Sequence, residues 1–69
     1  METILINWLS HYTGFEVHPQ TKFRDLNFDL FDEAVVVDFV QKQFNVNVNQ
    51  QDIWFEDVKE LVNAIAART

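Results

Sequence analysis

The sequence predicts an all-α fold: a small bundle of three main helices and one short helix, with a long first loop. Three observations carry this. The two ends of the chain space large apolar residues at i, i+3, i+4 and i+7, the signature of one apolar helix face. The central stretch Leu30 to Phe44 contains neither Gly nor Pro. The chain has only one Gly and one Pro, both before residue 20, too few turn residues for an all-β fold.

The first helix is predicted over Thr3 to Tyr12, with Leu5, Trp8, Leu9 and Tyr12 on one face and Gly14 as its stop. The connection that follows, GFEVHPQTKFRDLNFD, is long for so small a domain, and loops of more than about 12 residues are uncommon and often functional. Pro19 excludes a regular helix around it. Phe15, Val17, Phe23, Leu26 and Phe28 stud the loop, so it is expected to lie across the helices and plug the core.

The central helix opens on Asp29, whose carboxylate suits the free N–H groups of a first turn. Asp32 and Glu33 suit the positive end of the helix dipole. Val36, Val40 and Phe44 fall on one line, flanked by Ala34 and Val37, and predict the core face. Val35–Val36–Val37 alone reads as a strand, but the run around it is too long and too punctuated by polar residues. Beyond Phe44, NVNVNQQDIWFED breaks the periodicity. Asn49 could cap one short helical turn holding Ile53 and Trp54. Asp57 and Glu60 then form a D-x-x-E pair of the capping-box kind, ahead of the Val58, Leu61, Val62, Ile65 stripe.

At 69 residues the chain is expected to be a single domain, residues 1–69. A chain of this length buries only roughly 60% of the surface it exposes when unfolded, so its core must be dense. Seven Phe, two Trp and one Tyr, within 48% hydrophobic residues, meet that need and argue against disorder. With no Cys, neither disulfides nor thiolate metal ligands contribute. The formal charge is −6, which argues against nucleic acid and against an anionic membrane as partners. A protein partner with a basic patch is the natural complement. No apolar run approaches the ~20 residues that span a bilayer. METILINWLS lacks the basic region of a signal peptide, and the expectation is a cytoplasmic protein.

The order of helix, long loop, acid-led helix, short helix and last helix resembles an acyl carrier protein. The run D-L-x-x-D at Asp25–Asp29 is similar to that family's D-L-G-x-D-S-L approach to its second helix, with Asn27 in place of the Gly. The spacing from Asp29 to Phe44, the pair Val46 and Val48, and the stripe starting at Val58 also follow the family pattern. The resemblance covers nearly the whole chain, mostly through apolar positions. It implies a four-helix carrier fold and a phosphopantetheine group esterified to the serine after the acid. That serine is missing: Leu30 and Phe31 stand where D-S-L would place Ser and Leu. A hydroxyl is the attacking group, and leucine has none. Ser10, Thr13 and Thr21 lie outside the motif. No cofactor is therefore expected.

The sequence also argues against an enzyme. His11 and His18 have no third ligand at matching spacing, so no metal site is expected, and a single glycine cannot build a phosphate loop. Asp29, Asp32 and Glu33 read as a capped helix start rather than an acid–base cluster.

A second apolar line, Phe31, Val35 and Phe39, points away from the Val36–Val40–Phe44 line. Either the helix is covered on both sides, or this line is an exposed docking strip bordered by Asp32 and Asp38. The candidate partner-binding residues are Asp29, Leu30, Phe31, Asp32, Val35, Asp38 and Phe39. Trp54–Phe55 reads as core, with a binding hot spot as the other possibility.

The resemblance then implies an acyl-carrier-like domain without its attachment serine. Such a domain acts by binding a protein, for example an enzyme of acyl, polyketide or peptide assembly, as a monomer or weak homodimer. Two alternatives stay open. One is a genuine acyl or peptidyl carrier whose serine is replaced in this version. The other is an unrelated helical interaction module or homodimer.

Overall fold

The structure is a computed structural model that describes residues 1–49 and 57–68. Among these residues it is all-helical and holds no strand. Three α-helices run α1 Glu2–Thr13, α2 Leu30–Phe44 and α3 Val58–Arg68. A 3-10 turn at Phe23–Leu26, not expected from the sequence, interrupts the first loop. The short helix expected around Ile53 and Trp54, and the Trp54–Phe55 pair, lie outside the described residues. No described helix is long and apolar enough to cross a membrane.

Helices α1 and α2 and the 3-10 turn end where local chemistry ends them. Gly14 closes α1 in the left-handed conformation, φ 76°, its N–H bonded to Ser10 O at 2.9 Å, as a glycine free of Cβ strain allows. Asn45 closes α2 the same way at φ 57°, bonded to Gln41 O. Asn27 does so for the 3-10 turn at φ 56°. Asparagine is one of the few residues to visit this region readily.

At the start of α3, the Asp57 carboxylate accepts from Glu60 N–H at 3.0 Å. The first loop supplies two more acceptors there: Val58 N–H donates to Thr21 O and Lys59 N–H to Pro19 O, at 3.0 and 2.9 Å. The loop thus satisfies backbone donors that α3 cannot satisfy itself. It is a structural strap, not a linker.

The core gathers most of the predicted faces, although on α2 Phe44 and Val37 are only half-buried and Ala34 is exposed. Leu5 and Leu9 of α1, Val36 and Val40 of α2, and Val58, Leu61, Val62 and Ile65 of α3 are buried together. From the loop, Val17 and Phe23 enter the core, with Leu26 and Phe28 packed against it. Phe15 corrects the expectation that the whole studded loop plugs the core, being 61% exposed. After α2, Val46 and Val48 are buried while Asn45, Asn47 and Asn49 are exposed, an alternation of period two.

Beside the aliphatic core, six rings form one continuous run. Centroids are 5.8 Å apart for Phe23–Phe28, 6.1 Å for Phe28–Tyr12, 5.1 Å for Tyr12–Trp8, 4.3 Å for Trp8–Phe39 and 6.0 Å for Phe39–Phe44. Trp8 lies flat on Phe39, with the planes 12° apart. Such pairs contribute about 0.5–1.5 kcal/mol each beyond their buried area. The run stitches the loop and α1 to α2. It also refines the expected α1 face, since Leu5 and Leu9 fill the core while Trp8 and Tyr12 form the seam.

Candidate functional site

The first turn of α2 gathers most of the candidate residues. Asp29 is its N-cap, with extended backbone. The Asp29 Oδ1 accepts from Asp32 N–H at 2.8 Å, and Asp29 N–H donates to Asp32 Oδ2 at 3.2 Å. This reciprocal box satisfies one free helix donor and fixes the entry of the chain into α2. Glu33 N–H bonds the Asp29 carbonyl at 3.0 Å, so regular helix begins with the next residue, Leu30.

Tyr12 reaches across from the last turn of α1, its hydroxyl donating to Asp32 Oδ1 at 2.6 Å. This bond is the main reason the Asp32 carboxyl titrates below its ordinary value, helped by the bonds from Asp29. The same bond holds the Tyr12 phenol above its ordinary value. Asp32 therefore serves α2 as capping acid and α1 as acceptor.

Against this framework Leu30 and Phe31 face outward, 70% and 73% exposed. Large apolar side chains this exposed, side by side on a well-capped turn, are informative in a way that a lone exposed leucine is not.

The expected strip does not stay on one face. Phe31 is exposed, Val35 is half-buried, and Phe39 is half-buried under Trp8. Helical geometry explains the split. At 100° per residue, positions eight apart diverge by about 80°, so the line drifts off the outer face and into the α1 seam. The outward line of α2 runs instead through Phe31, Ala34, Asp38 and Gln41. Asp38 is exposed and pairs with Lys42 at 3.1 Å.

The hydroxyls outside the motif have structural tasks. Ser10 Oγ accepts from Val17 N–H, Thr13 Oγ1 donates to Leu9 O, and Thr21 Oγ1 accepts from His18 N–H. Among the described residues, no three His, Asp or Glu side chains gather as a metal site.

Sequence reasoning misread one residue of the turn. Glu33, expected as a dipole-compensating acid like Asp32, is 2% exposed, and its Oε1 has no hydrogen-bond partner. Burial, and secondarily the Asp29 charge, push its carboxyl above the ordinary range. The signal was present: Glu33 lies three and seven residues before Val36 and Val40, squarely on the core line.

No family model matches the chain, and neither the curated proteins nor the solved structures include one that is similar to it at a significant level.

Proposed function

We propose that this chain is an acyl-carrier-like domain that carries no prosthetic group and works by binding a protein. The four-helix form of that fold belongs to the same proposal. The observation that supports the reading best is the place of Leu30. It is the first helical residue after the capping Asp29, where the carrier motif has its serine, and it is 70% exposed.

The backbone at Asn27 adds support. The motif has glycine at that position, and Asn27 adopts φ 56°, a left-handed conformation that favours glycine. The register read from side-chain type thus agrees with an independent feature of the main chain. An apolar pair in the place of the reactive residue turns a loading site into a contact surface. Exposed aromatic and aliphatic anchors are where binding energy concentrates. The charge of −6 favours a partner whose contact face is basic.

The test is competition. The chain is added to an enzyme of acyl, polyketide or peptide assembly working on its own genuine carrier. Concentration-dependent inhibition that Phe31→Ala relieves is the expected result. Absence of inhibition across enzymes of all three classes, or inhibition indifferent to Phe31, would remove the partner-binding reading.

A further inference from the structure

Among the described residues, the least settled group is the Glu33 carboxyl. It sits in the first turn of α2, two residues from exposed Phe31, yet only 2% of the residue reaches solvent and Oε1 lacks a hydrogen-bond donor. A buried acceptor without a partner costs free energy, and far more when it bears a charge. The neutral acid is therefore the form that suits this position.

Among the described residues, no donor reaches the Glu33 Oε1. Asp29, on the same turn, is the charged group that acts on it, and its sign repels a second negative charge. Asp32 is bonded to Asp29 and to Tyr12 of α1. Among the described residues, the core-facing side chains of the other elements are apolar: Leu5 and Leu9 of α1, Val17 and Phe23 of the loop, Val58, Leu61, Val62 and Ile65 of α3. The positive end of the α2 dipole favours an anion here. Burial, followed by the Asp29 charge, pushes the carboxyl upward.

We propose that the first turn of α2 is a proton-controlled latch, closed while Glu33 is neutral and buried, and loosened when Glu33 ionises and its carboxylate is drawn to water. The proton leaves to solvent, and the carboxylate gains the hydration that the core denies it. Glu33 adjoins the turn that displays Leu30 and Phe31, so the latch sets how firmly that pair is presented. The inference does not depend on what binds there.

The experiment is carried out on the whole chain by NMR, following the Glu33 carboxyl carbon and the backbone amides of Leu30 to Glu33 between about pH 4 and pH 8, a window spanning the ordinary and a raised carboxylate range. Glu33 should titrate above the ordinary range, and the amides should move with the same midpoint. Above that midpoint, hydrogen exchange at these amides should be several-fold faster than in Glu33→Gln, which keeps the shape and cannot ionise; below it the two should agree. Titration of Glu33 in the ordinary range would overturn the latch. So would amides that ignore its midpoint, or an unchanged transition in Glu33→Gln. The wild-type titration alone decides the matter if the variant does not fold.

Discussion

The Tyr12 hydroxyl donates a 2.6 Å hydrogen bond to Asp32 Oδ1, tying the last turn of α1 to the first turn of α2. Four residues back along α1, Trp8 stacks on Phe39, seven residues onward in α2. The two contacts set α1 and α2 antiparallel and fix which face of α2 remains outside.

Tyr12→Phe removes the bond and keeps the ring. Asp32 is held below its ordinary value of 3.8 chiefly by Tyr12, so this contribution to stability is present above that value and lost as pH falls through the lower folded one. The Tyr12 phenol is raised above 10.0, so its contribution is present below that value and lost as pH rises through the folded one. Tyr12→Phe should flatten both limbs of the stability–pH curve. Denaturant melts across the two ranges measure it, and an unchanged acid limb would mean that the bond contributes nothing in solution.

Glu33→Gln should act in a different pH range. The Glu33 carboxyl is raised, so the stability tied to its neutral form is full below its ordinary value of 4.5 and lost as pH rises through the folded one. The variant should melt higher than wild type at neutral pH, with the gap shrinking in acid. Equal melting temperatures at neutral pH would mean that the carboxylate is accommodated without cost.

Truncations should separate the faces of α2 from the core. Leu9→Ala or Leu61→Ala, at fully buried positions, should cost about 2–5 kcal/mol. Phe31→Ala should change stability by about 0.5 kcal/mol or less. Phe39→Ala should fall nearer the core values, since it removes the partner of Trp8 and of Phe44. Chemical denaturation of the four variants checks the order, and a large loss for Phe31→Ala would place that ring inside the fold.

Gly14→Ala isolates backbone strain. A Cβ there would meet nothing within 4 Å, but φ is 76°. The left-handed conformation alone should cost about 1–2 kcal/mol. A thermal melt without loss would show that the end of α1 rearranges at no cost.

Much of this was legible in the sequence. The Asp29 cap and the α2 span from Leu30 to Phe44 follow from an acid leading a stretch without Gly or Pro, and the Val58 stripe follows from periodicity. Three features were not read. Ring stacking between Trp8 and Phe39 joins residues far apart in sequence, which periodicity within one helix cannot reveal. Phe15 and Phe23 are the same residue type in the same loop, and only the 3-10 turn decides that Phe23 enters the core while Phe15 does not. Glu33 was assigned by its charge at a helix start, whereas its position on the Val36–Val40 line governs its burial.

The loading reaction puts the non-carrier reading to the test. Wild type and Leu30→Ser are each incubated with coenzyme A and a permissive phosphopantetheinyl transferase, and their intact masses are measured. Wild type should keep its mass, because leucine has no hydroxyl to attack. Leu30→Ser should gain one phosphopantetheine group, mapped to the introduced serine beside Asp29. A gain of that mass by the wild-type chain, on any residue, would contradict the reading of a carrier-like domain that carries nothing.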